Sequence, residues 1–393
     1  SLDATNTFPQ EVFPSGGLPR LFPTDAPLRE CLVRWGEVQM LGSFATYHEW
    51  LSKANRDRWA NRTPQLHNAY VDATFVYNNY RVVYNTQARY AGSPWHRGQM
   101  TSGPDGANRT DFDFVFPSDD LLLGQTDFCV VNPGNPSGST ISDRSFQAEQ
   151  TSYIIFRQIG VHYNYRRYVH VYLNGVQRGA STDRSGNLVM EDAQQPNGDQ
   201  VKEWYSDNPD AELFKIEDWF WFPDNGFDFS GNDDADLERR TTTYGGATSL
   251  TAAPYRFKFR HRSVPTGRSA SDYSSFFALV DTVSPVSNPS VSPIPDVAAV
   301  ESLANLEQWM RIFACQHTVG NWDSYGFNRG KNAYMYGGLG VPYHQMTWDI
   351  DFTMGIGGDA AATDNLFSTT DPRISAMWNT PAILRMYWRA YSD

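Results

Sequence analysis

Lysine is scarce in this 393-residue chain: Lys53, Lys202, Lys215, Lys258 and Lys331 are the only five among 32 basic side chains. Any polyanion site must therefore rest on arginine or on one of these positions. The net charge is −12 and the pI about 5.1. The basic stripe of a nucleic-acid binder is missing, which excludes nucleic acid as a partner. No apolar run reaches the ~20 residues of a membrane span. Cysteine is equally sparse. Cys31, Cys129 and Cys315 allow at most one disulfide, and no C-x-x-C or His/Cys metal spacing occurs. Cys129 and Cys315 sit in apolar contexts and read as small buried hydrophobes. No signal-peptide pattern opens the chain.

Aromatic residues are plentiful, at 15%, enough for a sizeable core. The length suits two domains or one domain of two lobes. Few lysines with many Asn, Thr, Ser and Tyr fit a secreted, extracellular protein. Asn61-Arg62-Thr63 and Asn108-Arg109-Thr110 match the glycosylation acceptor.

In chain order, residues 1–42 form a Pro-rich extended arm. Residues 43–59 carry Tyr47, Trp50, Leu51 and Ala54 at helical spacing. Residues 69–90 read as strands with a hairpin at Asn78-Asn79, and 111–116 as a further strand. Residues 142–160 form a helix capped by Ser142 or Asp143 and stopped by Gly160. A strand over 167–173 ends in the Asn174-Gly175 turn. Acids crowd 224–236, and a solvated turn is favoured there over a calcium loop. A helix follows over 305–319, with Asn305 and Gln308 spaced as in a capping box. Two short helices end the chain, over 371–377 and 380–391.

The helix over 305–319 delivers the chain to its most informative stretch. Asn321-Trp322-Asp323-Ser324 lies in a polar loop. Asn332 opens one apolar run, and a second ends in Trp348-Asp349-Ile350-Asp351. Loop, strand, turn, strand and acid bring Asp323, Asn332, Asp349 and Asp351 close together. Phosphoryl transfer uses such a set: one carboxylate orients the acceptor hydroxyl, and an Asn with another carboxylate holds the metal on the phosphates.

Asn-Trp-Asp-Ser, Lys-Asn-Ala-Tyr-Met-Tyr and Thr-Trp-Asp-Ile-Asp-Phe resemble the motifs of the spore-coat protein H (CotH) kinase family. That family is an atypical, secreted, protein-kinase-like group. The resemblance runs over residues 69–355. It implies an α+β, bilobal protein-kinase-like fold, with a β-rich N-lobe over 43–192 and a mixed α/β C-lobe over 193–393. It also implies ATP as phosphate donor, Mg or Mn as metal, and a protein substrate outside the cell or at its surface. Asp323 matches the residue that orients the acceptor, and Asn332, Asp349 and Asp351 match the metal ligands.

Upstream, Arg89-Tyr90-Ala91-Gly92-Ser93 is similar to the family's phosphate-covering turn, which would use Gly92 and Ser93. Arg109 stands where the family has a lysine. Glu149 matches the helix glutamate that pairs with that cation, and Lys215 is a second candidate for the phosphates. The backbone at Met190 and Glu191 would face the adenine. Two other readings compete. The missing family lysine suits a pseudokinase serving as an extracellular binding or structural module. The many Trp and Tyr residues suit a glycan-binding or carbohydrate-active protein, since paired carboxylates also serve glycoside hydrolysis.

Overall fold

The computed structural model describes residues 44–60, 69–91, 111–134, 136–137, 140–141, 143–179, 188–221, 231–244, 247–250, 252–285, 293–356 and 365–393. They fall into two compact units. One holds the described residues up to Ser145 together with Tyr165–Gln195. The other holds Phe146–Asn164 and Pro196–Asp393. The N-terminal arm, both glycosylation acceptors, Gly92, Ser93 and Arg109 lie outside the described residues.

The first unit is a barrel. Its strands are β1 (Ala45–Trp50), β2 (Val71–Tyr77), β3 (Arg81–Ala91), β4 (Asp111–Val115), β5 (Asp127–Val131), β6 (Arg166–Leu173), β7 (Val176–Arg178) and β8 (Met190–Ala193). They run in the order β1-β2-β3-β4-β5-β8-β6-β7, and β1 pairs with β6 as well. That last pairing is parallel, from Ala45↔Val169 to Glu49↔Leu173. Seven strands thus close on themselves, and β7 is a hairpin extension of β6. Closure leaves none of the seven with a bare edge. Both hairpin signals are seen as turns: Asn78 and Asn79 have φ of 48° and 60°, and Asn174 and Gly175 of 46° and 83°. Phe75, Phe112, Phe114, Phe128, Val130 and Val171 fill the core.

This closure corrects the fold expected above. The class is α+β, but the architecture is a closed barrel plus a second sheet with helices, not a bilobal protein-kinase-like fold. The deciding element is β1. Helical spacing over 43–59 pointed to one helix, yet Ala45–Trp50 is extended, and helix α1 (Lys53–Ala60) starts after it. As a stave bonded on both sides, β1 satisfies its backbone groups in two ladders. That gain outweighs a local periodicity signal.

The second unit is built on an antiparallel sheet of β9 (Glu212–Ile216), β10 (Phe259–Ser263), β11 (Ala333–Gly338) and β12 (Val341–Thr347), in the order β10-β9-β11-β12. Its helices are α2 (Ala148–Gln158), α3 (Gly198–Trp204), α4 (Ser274–Val283), α5 (Val297–Glu301), α6 (Leu306–Val319), α7 (Pro372–Trp378) and α8 (Pro381–Ser392). Helix α2 begins later than its sequence suggested. Asp143 instead closes a short turn, accepting from Ser145 N at 2.9 Å. Gly160 follows α2 with φ 73°, as a terminating glycine should.

Helix α6 organises this unit. Leu306, Trp309, Met310 and Phe313 recur at 3–4 residue spacing and are all buried. The Trp309 indole donates to Tyr343 O at 2.8 Å, tying the helix to β12. At its start Asn305 Oδ1 accepts from Gln308 N at 3.1 Å. At its end Gly320 takes φ 73°. The cap gives a direct prediction. Asn305→Ala should cost about 1 kcal/mol, lowering the denaturant midpoint with no change in the slope of the transition.

Candidate active site

The loop between α6 and β11 is held at several points. Asn321 N donates to Gln316 O at 2.9 Å, and its side-chain amide donates to Gln316 Oε1 at 2.8 Å. Tyr325 N donates to Lys331 O at 2.7 Å, pinching the loop at its neck. A neighbouring acidic segment braces the far side. Ala235 N donates to Gly330 O at 2.9 Å, and Arg329 Nε meets Asp234 Oδ1 at 3.0 Å. A side chain at 330 would collide with the Ala235 backbone, so glycine is required there. Of the described acids of the 224–236 stretch, Asp234 and Asp236 are thus ion-pair partners, whereas Asp233 is exposed as a solvated residue should be. Asp236 likewise meets Arg240 at 2.8 Å.

On this loop Asp323 is 4% exposed. Asn332 Nδ2 donates to Asp323 O at 2.8 Å and to Asp323 Oδ2 at 3.0 Å. Lys331 Nζ lies 3.2 Å from the same Oδ2. Asp323 Oδ1 is buried and accepts no hydrogen bond from the described residues. Burial pushes the Asp323 carboxyl up to about 6, Lys331 pulls it down, and the nearby Asp349 charge pushes it up again. The carboxyl therefore loses its proton just below neutral pH, the range suited to taking a proton from a hydroxyl.

Asn332 and Asp349 frame Asp323. Both occupy the left-handed region, with φ 55° and 52°. Asn and Asp tolerate it better than most residues. Asn332 spends its amide N–H groups on Asp323, and its Oδ1 accepts nothing from the described residues. Asp349, half-buried just beyond β12, has neither a hydrogen bond nor an ion pair among them. Asp351 is half-buried two residues on. Between them, Ile350 N donates to Glu149 Oε1 at 3.2 Å. Glu149, on α2, thus anchors the turn that carries both acids.

Lys215, on β9, lies cross-strand from Tyr334 of β11. Its ammonium is 2.6 Å from Glu217. Burial lowers the Lys215 pKa, but the Glu217 charge overrides this and leaves it above the ordinary value. Met190 and Glu191 belong to β8 in the barrel unit. Glu191 pairs with Val131 on one side and Tyr168 on the other. Its carboxylate forms a buried ion pair with Arg166 at 3.1 Å.

Asp323, Asn332 and Asp349 are therefore brought together as expected, with Glu149 supporting the turn. The residue missed by sequence reasoning is Lys331. Its position beside Asn332, in a chain of five lysines, was the available signal.

Among the described residues no group of three or more His, Cys, Asp or Glu side chains could hold a metal ion alone. None of the described helices is long and apolar enough to cross a membrane. No curated protein matches this chain. One family model, described as CotH kinase protein, matches residues 138–390. The match covers more than half the chain and includes Glu149, Lys215, Asp323, Asn332, Asp349 and Asp351, but leaves out Gly92, Ser93 and Arg109. The chain belongs to the CotH kinase protein family.

Proposed function

We propose that this protein is a metal-dependent phosphotransferase that moves the γ-phosphoryl group of ATP to hydroxyl groups of extracellular proteins. The supporting observation is Asp323, buried, with one oxygen unbonded by the described residues and the other held by Lys331 and Asn332. An acceptor hydroxyl would donate to the Asp323 carboxylate. As its oxygen bonds to the γ-phosphorus and the bond to ADP breaks, its proton passes to Asp323. Little covalent work is left to the protein beyond positioning and charge stabilisation.

The donor set fits magnesium or manganese bound in the usual nucleotide mode. Such an ion needs only one or two carboxylates, because substrate phosphates and water fill the other positions. Asn332 Oδ1 and the Asp349 carboxylate accept nothing from the described residues and lie next to Asp323, and Asp351 is a further carboxylate two residues beyond Asp349. A bound ion would neutralise charge on the β- and γ-phosphate oxygens. Lys331 is the cation nearest the reaction, and Lys215 is a second one on the adjoining strand.

The test is label transfer from γ-labelled ATP to a generic acceptor protein, with magnesium or manganese. Label with wild type, lost in Asp349→Ala, supports the reading. No label, with no metal-dependent thermal shift by ATP, would instead mean a pseudokinase used as a binding module.

Lys331 supplies a second expected result. It lowers the Asp323 pKa, so Lys331→Met should move the acid limb of the kcat/KM profile upward from about pH 6. An acid limb that stays in place would show that Asp323 is not the group titrating.

A further inference from the structure

A cavity of about 450 Å3 opens elsewhere in the second unit. Its walls are Trp204 and Tyr205 at the end of α3, the 160–162 turn, His344 of β12 and the start of α6. It is separate from the Asp323 site. Glu307, Gln308 and Arg311 line it from the first turns of α6, whereas Asp323 follows the other end of that 14-residue helix, roughly 20 Å away.

Packing fixes its aromatic rings. Tyr205 stacks on Tyr336 with centroids 4.7 Å apart and leans on His344 at 5.0 Å. Trp204 meets Tyr163 edge-on at 5.2 Å and tilts over His162 at 5.0 Å. Yet the Trp204 indole N–H, the Tyr205 hydroxyl and the His344 nitrogens make no hydrogen bond to the described residues. Burial lowers the His344 pKa. Its neutral ring offers one donor and one acceptor.

The charged lining narrows the ligand. Arg311, the one Lys or Arg among the described lining residues, already faces Glu307 and Asp393, which disfavours a phosphate or carboxylate. Gln308 is spent on both backbone groups of Gln345. A purely apolar ligand would leave the rings' polar edges without partners, whereas Glu307 is already paired with Arg389 at 2.7 Å and Arg311 at 3.6 Å. What remains is an uncharged molecule with an apolar face and a rim of groups that both donate and accept. The size falls within the ~300–1,000 Å3 range of small-ligand sites.

We propose that this cavity binds a neutral saccharide, with a sugar ring packed against Trp204 and Tyr205 and its hydroxyls bonded to Glu307, His344 and the Tyr205 hydroxyl. The sugar could belong to a polysaccharide or to the glycan of a glycoprotein. Isothermal titration of the whole chain decides, with cellohexaose, xylohexaose and mannohexaose as polysaccharide probes and Man5GlcNAc2 as the glycoprotein probe. The expected result is saturable binding of at least one probe. Trp204→Ala should weaken it at least tenfold, Trp204→Phe should restore most of it, and Asp323→Asn should leave it unchanged. The arm that binds identifies the source. Four silent probes would overturn the proposal. So would full affinity in folded Trp204→Ala and Tyr205→Ala proteins, or binding lost in Asp323→Asn, which would place the sugar at the phosphotransfer site.

Discussion

Asp323→Asn should slow transfer sharply and stabilise the fold at the same time. Removing a positioned proton acceptor costs about 10²–10⁴ in rate, so label incorporation should fall by that factor. The stability change has the opposite sign. Burial holds the folded carboxyl up at about 6, against an ordinary 3.8. A raised carboxyl favours the folded state only while it is protonated. Its contribution is fully present below pH 3.8 and is lost as pH rises through about 6. At neutral pH the deficit is about 3 kcal/mol. An amide has the shape of the protonated acid and never ionises. Asp323→Asn should therefore raise Tm by several degrees at pH 7.5, and by little near pH 4. Thermal melts at both pH values, beside the label assay, check both halves. A Tm gain independent of pH would mean that the buried charge is not its source. Such a trade of stability for reactivity is common at catalytic positions.

The parts of this structure visible in the sequence are those with short-range causes. Asn78-Asn79 and Asn174-Gly175 make turns because these residues accept positive φ. Helix α6 and its Asn305 cap follow from apolar spacing and one side-chain oxygen. Asp323 and Asn332 are nine residues apart, and β11 and β12 form a hairpin, so the site assembles within one local stretch. Barrel closure has no such local signature. It depends on β1 meeting β6 in parallel across more than 100 residues, with Tyr47 beside Val171. Nothing in residues 43–59 shows a distant strand waiting for them, and the helical spacing there was misleading. Lys331 was hidden for another reason. A lysine next to a ligand-like Asn looks the same whether it faces solvent or a buried carboxylate. Only the Tyr325–Lys331 pinch turns it onto Asp323.

That pinch makes Gly326 the position where one methyl group should do the most harm. Gly326 has φ +88°, and a Cβ there would overlap the Phe313 ring of α6. A left-handed Ala costs about 1–2 kcal/mol. Forcing a methyl into a packed ring adds about 1–3 kcal/mol. Neither side can yield easily. Phe313 is fully buried, and the Gly326 carbonyl accepts from His317 Nε2 at 3.2 Å while His317 stacks on Phe327 at 3.8 Å. Burial keeps His317 neutral by lowering its pKa to about 4, so this contact persists across the working pH range. The strain must move the loop that carries Asp323 and Lys331. A displacement of about 1 Å costs on the order of 10²-fold in rate. Gly326→Ala should thus lose about 2–5 kcal/mol of stability and about a hundredfold in transfer. Adding Phe313→Leu should recover part of both, since it opens space for the methyl without relieving the positive φ. The two substitutions touch each other, so their effects should not add. Strict additivity in a double-mutant cycle would place the damage somewhere other than the Gly326–Phe313 contact.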